Sequence, residues 1–157
     1  MNHENINKVI DWLHRGAPEV IFSMKYALRT IGDTDVEDKD YPEDNEGYYA
    51  LAYSQRQKVD AGGCGSVCCI AGAAAQFDGA KPDEYDDWTP VQKRALQYFG
   101  INPDDYDRLP WMLPVFDPDE TPQNCGPLTA AKALKRWADH IAKHPDHITF
   151  NPWEHME

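Results

Sequence analysis

The sequence predicts a mainly α fold: a single compact domain of about five helices joined by long, acidic, proline-rich loops, with room for a minor β element. Three observations carry this expectation. Apolar residues recur at helical spacing in several separate stretches. Capping residues, Pro and Gly mark where those stretches begin and end. No βαβ alternation, internal repeat, GxGxxG motif or P-loop interrupts the pattern. With 157 residues, 41% of them hydrophobic and 27% charged, the chain can bury a real core, so one domain over residues 1–157 is expected.

The first helix rests on Ile6, Val9, Ile10 and Leu13, spaced i, i+3, i+4, i+7 along one face. Asn2 or Asn5 suits its N-cap, and Gly16 suits a left-handed exit. A second helix is expected over 18–32. Pro18 fits a first helical position, Ile21, Met24, Leu28 and Ile31 fall on one face, and Gly32 ends it. So short a connection implies an antiparallel helical hairpin.

Residues 33–46 hold eight acids, one lysine and one proline, with almost nothing to bury, and should form an exposed, mobile acidic loop. Residues 48–59 fit either a helix packing its tyrosines or a strand presenting Tyr49, Leu51 and Tyr53; the helix is preferred. Ala61, Gly62 and Gly63 break whatever precedes the cysteines.

Three of the four cysteines lie within six positions, at Cys64, Cys68 and Cys69, ahead of Ile70 and a run of Ala and Gly. A helix is expected from Ser66, whose hydroxyl can cap the Cys68 or Cys69 amide. Gly72 inside it costs about 1 kcal/mol relative to Ala, which close approach of a neighbouring backbone would offset. This helix should be buried on most sides.

Thr89, Pro90 and Gln92 then form a helix start, with Thr capping and Pro at the first position. Val91, Ala95, Leu96 and Phe99 make its apolar face, and Gly100 ends it. Residues 101–126 are proline-rich and lack lysine; they should wrap the surface irregularly, anchored by Leu109, Trp111, Met112, Leu113 and Phe116. A last helix over 128–143 turns Leu134, Trp137, Ala138 and Ile141 inward and Lys132, Lys135 and Arg136 outward. Pro145 stops it, and Phe150 and Trp153 of the tail should dock on the body.

Net charge is -12 and the pI about 4.8, with a mean hydropathy of -0.70. Direct binding of nucleic acid is disfavoured, because phosphate contacts rest on Lys and Arg. A basic surface on a partner protein is the favoured counterpart. No apolar run reaches the roughly 18 residues of a membrane span, and no secretory signal is visible. A cytoplasmic protein with reduced thiols is expected.

Two chemical alternatives accompany that reading. A thiol in the first turn of a helix is stabilised as thiolate, the expected place of Cys68 and Cys69, and Cys64 or Cys68 could serve as the nucleophile of a thiol-dependent hydrolase or transferase. It would need a base, with His140 and His144 the candidates and His147 and His155 nearby in the chain. Alternatively Cys64, Cys68, His140 and His144 could hold a structural zinc, since His140 and His144 are spaced i, i+4. No CxxC knuckle is present, and the HIAKH run lacks the glutamate of HExxH. The favoured expectation is therefore no catalytic residue, no metal and no cofactor.

The acidic loops interleave with aromatics, a pattern that can imitate a nucleic-acid backbone and fill a basic groove. Asp38, Asp40, Tyr41, Glu43 and Asp44 in the first loop, with Asp83, Glu84, Asp86, Asp87 and Trp88 in the second, are the candidate partner-binding residues.

The run CGSVCCIAGAAA over 64–75 resembles a CGT-x-x-C-I-A-G-x-A signature of small, uncharacterised proteins of tailed phages and bacterial mobile elements. The helix start at Thr89, Pro90 and Gln92 and the ending at Ala95, Leu96, Phe99 and Gly100 extend the resemblance to about a quarter of the chain. Ser66 stands where the signature has Thr and keeps the capping hydroxyl. The resemblance implies a setting in a bacterial host cell. In that setting the acidic, aromatic-studded loops lead to the expectation of a non-enzymatic protein that occupies a basic host surface, such as a nucleic-acid-binding groove, and inhibits host defence or nucleic-acid machinery.

Overall fold

The computed structural model describes residues 1–18, 21–22, 24, 28–30, 66–81, 84–85, 87–106, 109–122 and 125–156. The loop 33–46 and the segment 48–59 lie outside the described residues.

Helix α1 (His3–His14) forms where the apolar stripe places it. Asn2 is the N-cap, its side chain accepting the Asn5 N–H at 3.1 Å. Ile6, Val9, Ile10 and Leu13 are buried together with Trp12. Gly16 leaves the helix at a φ of 83°, which glycine adopts without steric cost. Ala17 follows at a φ of 50° and is completely buried.

The described residues of 18–32 do not form the expected second helix. Strands β1 (Ile21–Phe22) and β2 (Leu28–Thr30) occupy that stretch and pair with β3 (Ser66–Cys68) in a sheet of order β1-β3-β2. β1 runs parallel to β3, with Phe22 opposite Cys68, and β2 runs antiparallel, with Thr30 opposite Ser66. The spacing of 21, 24, 28 and 31 suits a helix. Phe22 and Met24 are both buried. Pairing with a segment some forty positions away outweighs the local helical pattern.

The sheet also shifts the cysteine helix. Ser66 is paired in β3, and α2 (Ile70–Phe77) begins later than expected. Cys69 is its N-cap, with extended backbone and its Sγ accepting the Gly72 N–H at 3.4 Å. Cys68 therefore lies in a strand rather than in a helical first turn. Ile70, Ala71, Gly72, Ala73, Ala74 and Ala75 are all buried, and α2 packs along α3 (Trp88–Tyr98).

α3 starts one residue before Thr89, with Asp87 at the N-cap position and no side-chain capping bond. Its face of Val91, Ala95 and Leu96 is buried, followed by Phe99. Gly100 then turns at a φ of 71°, and a Cβ there would sit 2.7 Å from the Asn2 nitrogen. That closeness is built in: the Asn2 N–H donates to the Phe99 carbonyl at 2.6 Å, and Asn5 Nδ2 donates to the Tyr98 carbonyl at 2.8 Å. The end of α3 is thus seated on the start of α1.

The described residues of 101–126 are irregular, with 3-10 turns at Pro103–Asp105 and Pro114–Phe116. Leu113, Val115 and Phe116 are buried and anchor it. α4 (Pro127–Lys143) starts with proline at its first position and buries Leu134, Trp137, Ala138 and Ile141 while packing along α1. The tail docks as expected: Trp153 is buried, and its Nε1 donates to the Pro114 carbonyl at 2.7 Å. Trp137 Nε1 donates to the Ile148 carbonyl at 3.1 Å.

The result is a mainly helical fold with four α-helices among the described residues, one fewer than expected. One apolar cluster runs from Ile6 through the α2–α3 pair to Trp153. No helix among the described residues is long and apolar enough to cross a membrane.

Candidate functional site

Trp111 is the residue the sequence places wrongly and the structure makes conspicuous. Expected as an anchor, it is 65% exposed. Its two flanks are held fast. Gln92, completely buried on α3, donates through Nε2 to the Pro110 carbonyl at 3.2 Å and accepts the Leu113 N–H on Oε1. A buried primary amide needs both donor and acceptor partners, and these two backbone groups supply one of each. The chain between them bulges outward and carries the indole into solvent.

Beside Trp111 lies a cleft of about 580 Å³, within the size range of ligand and peptide pockets. Thr89 and Lys93 of α3 line it together with Asp104, Tyr106, Pro110 and Trp111. Thr89 Oγ1 is buried and meets no hydrogen-bond partner among the described residues. Tyr106 is braced by its hydroxyl, which donates to the Pro145 carbonyl at 3.2 Å. Burial raises the Tyr106 pKa, and the nearby Asp146 and Asp105 carboxylates raise it further. The phenol therefore stays protonated and donating. Asp104 and Asp105 are exposed beside the cleft.

The acids expected to bind a partner have mixed fates. Asp38, Asp40, Tyr41, Glu43, Asp44, Asp83 and Asp86 lie outside the described residues. Glu84 is engaged within the chain: it accepts the Lys81 N–H at 2.9 Å and pairs with Arg94 at 3.5 Å. Arg94 also holds Asp78 at 3.1 Å and the Tyr85 hydroxyl at 2.9 Å, and the Tyr85 bond does most to raise its pKa. Asp87 is exposed at the start of α3, and Trp88 is half-buried against the core.

The thiol reading gains nothing from the described cysteines. Burial pushes the Cys69 thiol up to about 12 and the Cys125 thiol up to about 12, so both are protonated at neutral pH. Cys64 lies outside the described residues, and Cys68 is placed by its backbone in β3.

His140 and His144 do come together, on the last turn of α4 and just beyond it, with ring centroids 4.9 Å apart. His147 joins them, 5.6 Å from His140 and 5.2 Å from His144. Burial holds the His140 pKa below its usual value, and His144, His147 and Lys143 add repulsion. Among the described residues, no three His, Cys, Asp or Glu side chains converge as they stand on a point that would hold a metal ion.

The cleft was missed because its parts carry no periodic signal. Thr89 and Gln92 read as helix-start residues, and a tryptophan in an irregular segment reads as core. In comparisons with protein-family models, with curated proteins and with solved structures, nothing matches this chain.

Proposed function

We propose that this is a non-enzymatic binding protein of phage or mobile-element type that occupies a basic surface of a host protein. Trp111 and its cleft provide the contact centre, and the acidic loops provide attraction. The observation that carries the reading is the exposed Trp111 held between two residues clamped by buried Gln92. An aromatic on a backbone already held in place has less freedom to lose on binding, and tryptophan is enriched at interface hot spots.

Charge supports the choice of partner. The chain carries -12 overall, and Asp104 and Asp105 are exposed beside the cleft. Such a field speeds encounter with a basic surface and weakens with salt. A nucleic-acid-binding groove on a host enzyme is the surface of this kind that an acidic inhibitor would block.

The test is capture from a bacterial lysate at low and high salt. Wild type is compared with a charge-reversed variant of Asp38, Asp40, Glu43 and Asp44, and with one of Asp87, Asp104 and Asp105. A basic protein retained by wild type at low salt, and lost from the reversed variants, is the expected result. A captured set that neither reversal nor salt alters would refute the charge-driven reading.

A further inference from the structure

The C-terminal end of α4 and the turn after it gather three imidazoles on one side. Local hydrogen bonds set the geometry. The His144 N–H donates to the His140 carbonyl at 2.9 Å, the His147 N–H to the His144 carbonyl at 3.0 Å, and the Phe150 N–H to the His147 carbonyl at 2.9 Å. The turn is also pinned from below. Arg136, one helical turn before His140, donates to the carbonyls of Pro152 and Glu154 and lies 5.6 Å over the Phe150 ring. Phe150 in turn stacks under His140, with centroids 3.9 Å apart and planes within 10°. The His140 ring is therefore oriented by packing before anything binds it.

His140 Nε2 and His147 Nδ1 stand 3.4 Å apart. Two nitrogens on a tetrahedral ion at about 2.0–2.1 Å are separated by roughly 3.3–3.4 Å, so this pair has the span of one edge of such a site. We propose that His140, His144 and His147 bind a divalent transition-metal ion of the imidazole-preferring class, with His140 Nε2 and His147 Nδ1 as the preformed pair and His144 turning in as the third donor.

His144 is exposed, with its ring centroid 4.9 Å from that of His140 and 5.2 Å from that of His147, and on metal binding its side chain rotates to bring a nitrogen to the ion. Binding requires both nitrogens of the pair to offer lone pairs. The hydrogen that bridges them must leave, moving through water to the other nitrogen of one ring. Lys143 repels a cation here, so imidazole donation, not net charge, provides the affinity. Three nitrogens leave a fourth position for water or a partner's side chain, which suits zinc and copper and excludes calcium and magnesium, whose ligands are oxygens.

The test is calorimetric titration of the full chain, freed of metal by chelation, with zinc chloride and separately with magnesium chloride. Variants H147A, H144A and H155A are run alongside, each checked for native circular dichroism. Saturable binding of one zinc per chain, weakened at least about tenfold in both H147A and H144A and unchanged in H155A, is the predicted outcome. No saturable zinc binding, equal loss in H155A, or full binding in H147A would overturn the site. Full binding in H144A would overturn the three-ring assignment.

Discussion

Gln92 receives the Leu113 amide on its Oε1 and, through Nε2, holds the Pro110 carbonyl, bridging a helix to an irregular segment with one buried side chain. It is the only polar residue among the buried ones described. Everything displayed between residues 110 and 113 depends on it.

Replacing that amide should therefore be costly. Gln92→Ala orphans the buried Leu113 N–H, worth about 1–3 kcal/mol when left unpaired, and also releases the Pro110 carbonyl, which is only part-buried. A net loss of about 2–4 kcal/mol is expected after relaxation, lowering the melting temperature by several degrees. Gln92→Glu keeps the acceptor for Leu113 but loses the donor to Pro110, and should be destabilising as well. Thermal melts of both variants, with limited proteolysis directed at 101–126, check this.

Trp111→Ala should behave in the opposite way. The side chain is mostly in water, so stability is expected to stay within about 0.5 kcal/mol of wild type. Trp153→Ala is the contrast. That indole is buried and bonded to the Pro114 carbonyl, and its loss should cost about 3–5 kcal/mol. Chemical denaturation of the two variants separates an exposed anchor from a core one.

Gly100→Ala tests the seating of α3 on α1. A side chain there meets the Asn2 nitrogen at 2.7 Å and must adopt a φ of 71°. Left-handed backbone alone costs a non-glycine residue about 1–2 kcal/mol. A loss greater than this is expected, because the neighbour is backbone and cannot swing away. Gly16→Ala, with nothing within 4 Å of its Cβ, should show the backbone cost only.

Much of this architecture is legible in the sequence, and the failures have physical causes. The stripe of Ile6, Val9, Ile10 and Leu13 and that of Leu134, Trp137, Ala138 and Ile141 are read correctly because an amphipathic helix encodes its own burial locally. Residues 18–32 mislead because Ile21, Met24 and Leu28 fit a helix. What decides their fate is pairing with Ser66–Cys68, which no local pattern records. The same distant pairing moves the cap of α2 from Ser66 to Cys69. The exposure of Trp111 and the approach of His147 to His140 are not legible for a related reason: one is set by a buried amide and the other by a chain of turn hydrogen bonds.

The buried thiols give a pH prediction. Cys69 and Cys125 are raised to about 12, whereas the unfolded chain ionises them near their ordinary value of about 9. Between those values the unfolded state has released protons that the folded state retains, so stability falls as pH rises from about 9 towards 12. Below about 9 this contribution is fully present. Iodoacetamide at pH 8, followed by peptide mapping, should leave both cysteines unmodified in the native protein and alkylate both in denaturant.

Binding centred on Trp111 is tested most directly by quantitative mass spectrometry of proteins captured from bacterial lysate on wild type and on Trp111→Ala, immobilised at equal folded amounts. A hot-spot contribution of about 2 kcal/mol corresponds to roughly thirtyfold in affinity. At least one basic protein enriched on wild type and depleted by about that factor on the variant is the predicted result. Indistinguishable profiles from the two surfaces would contradict the account.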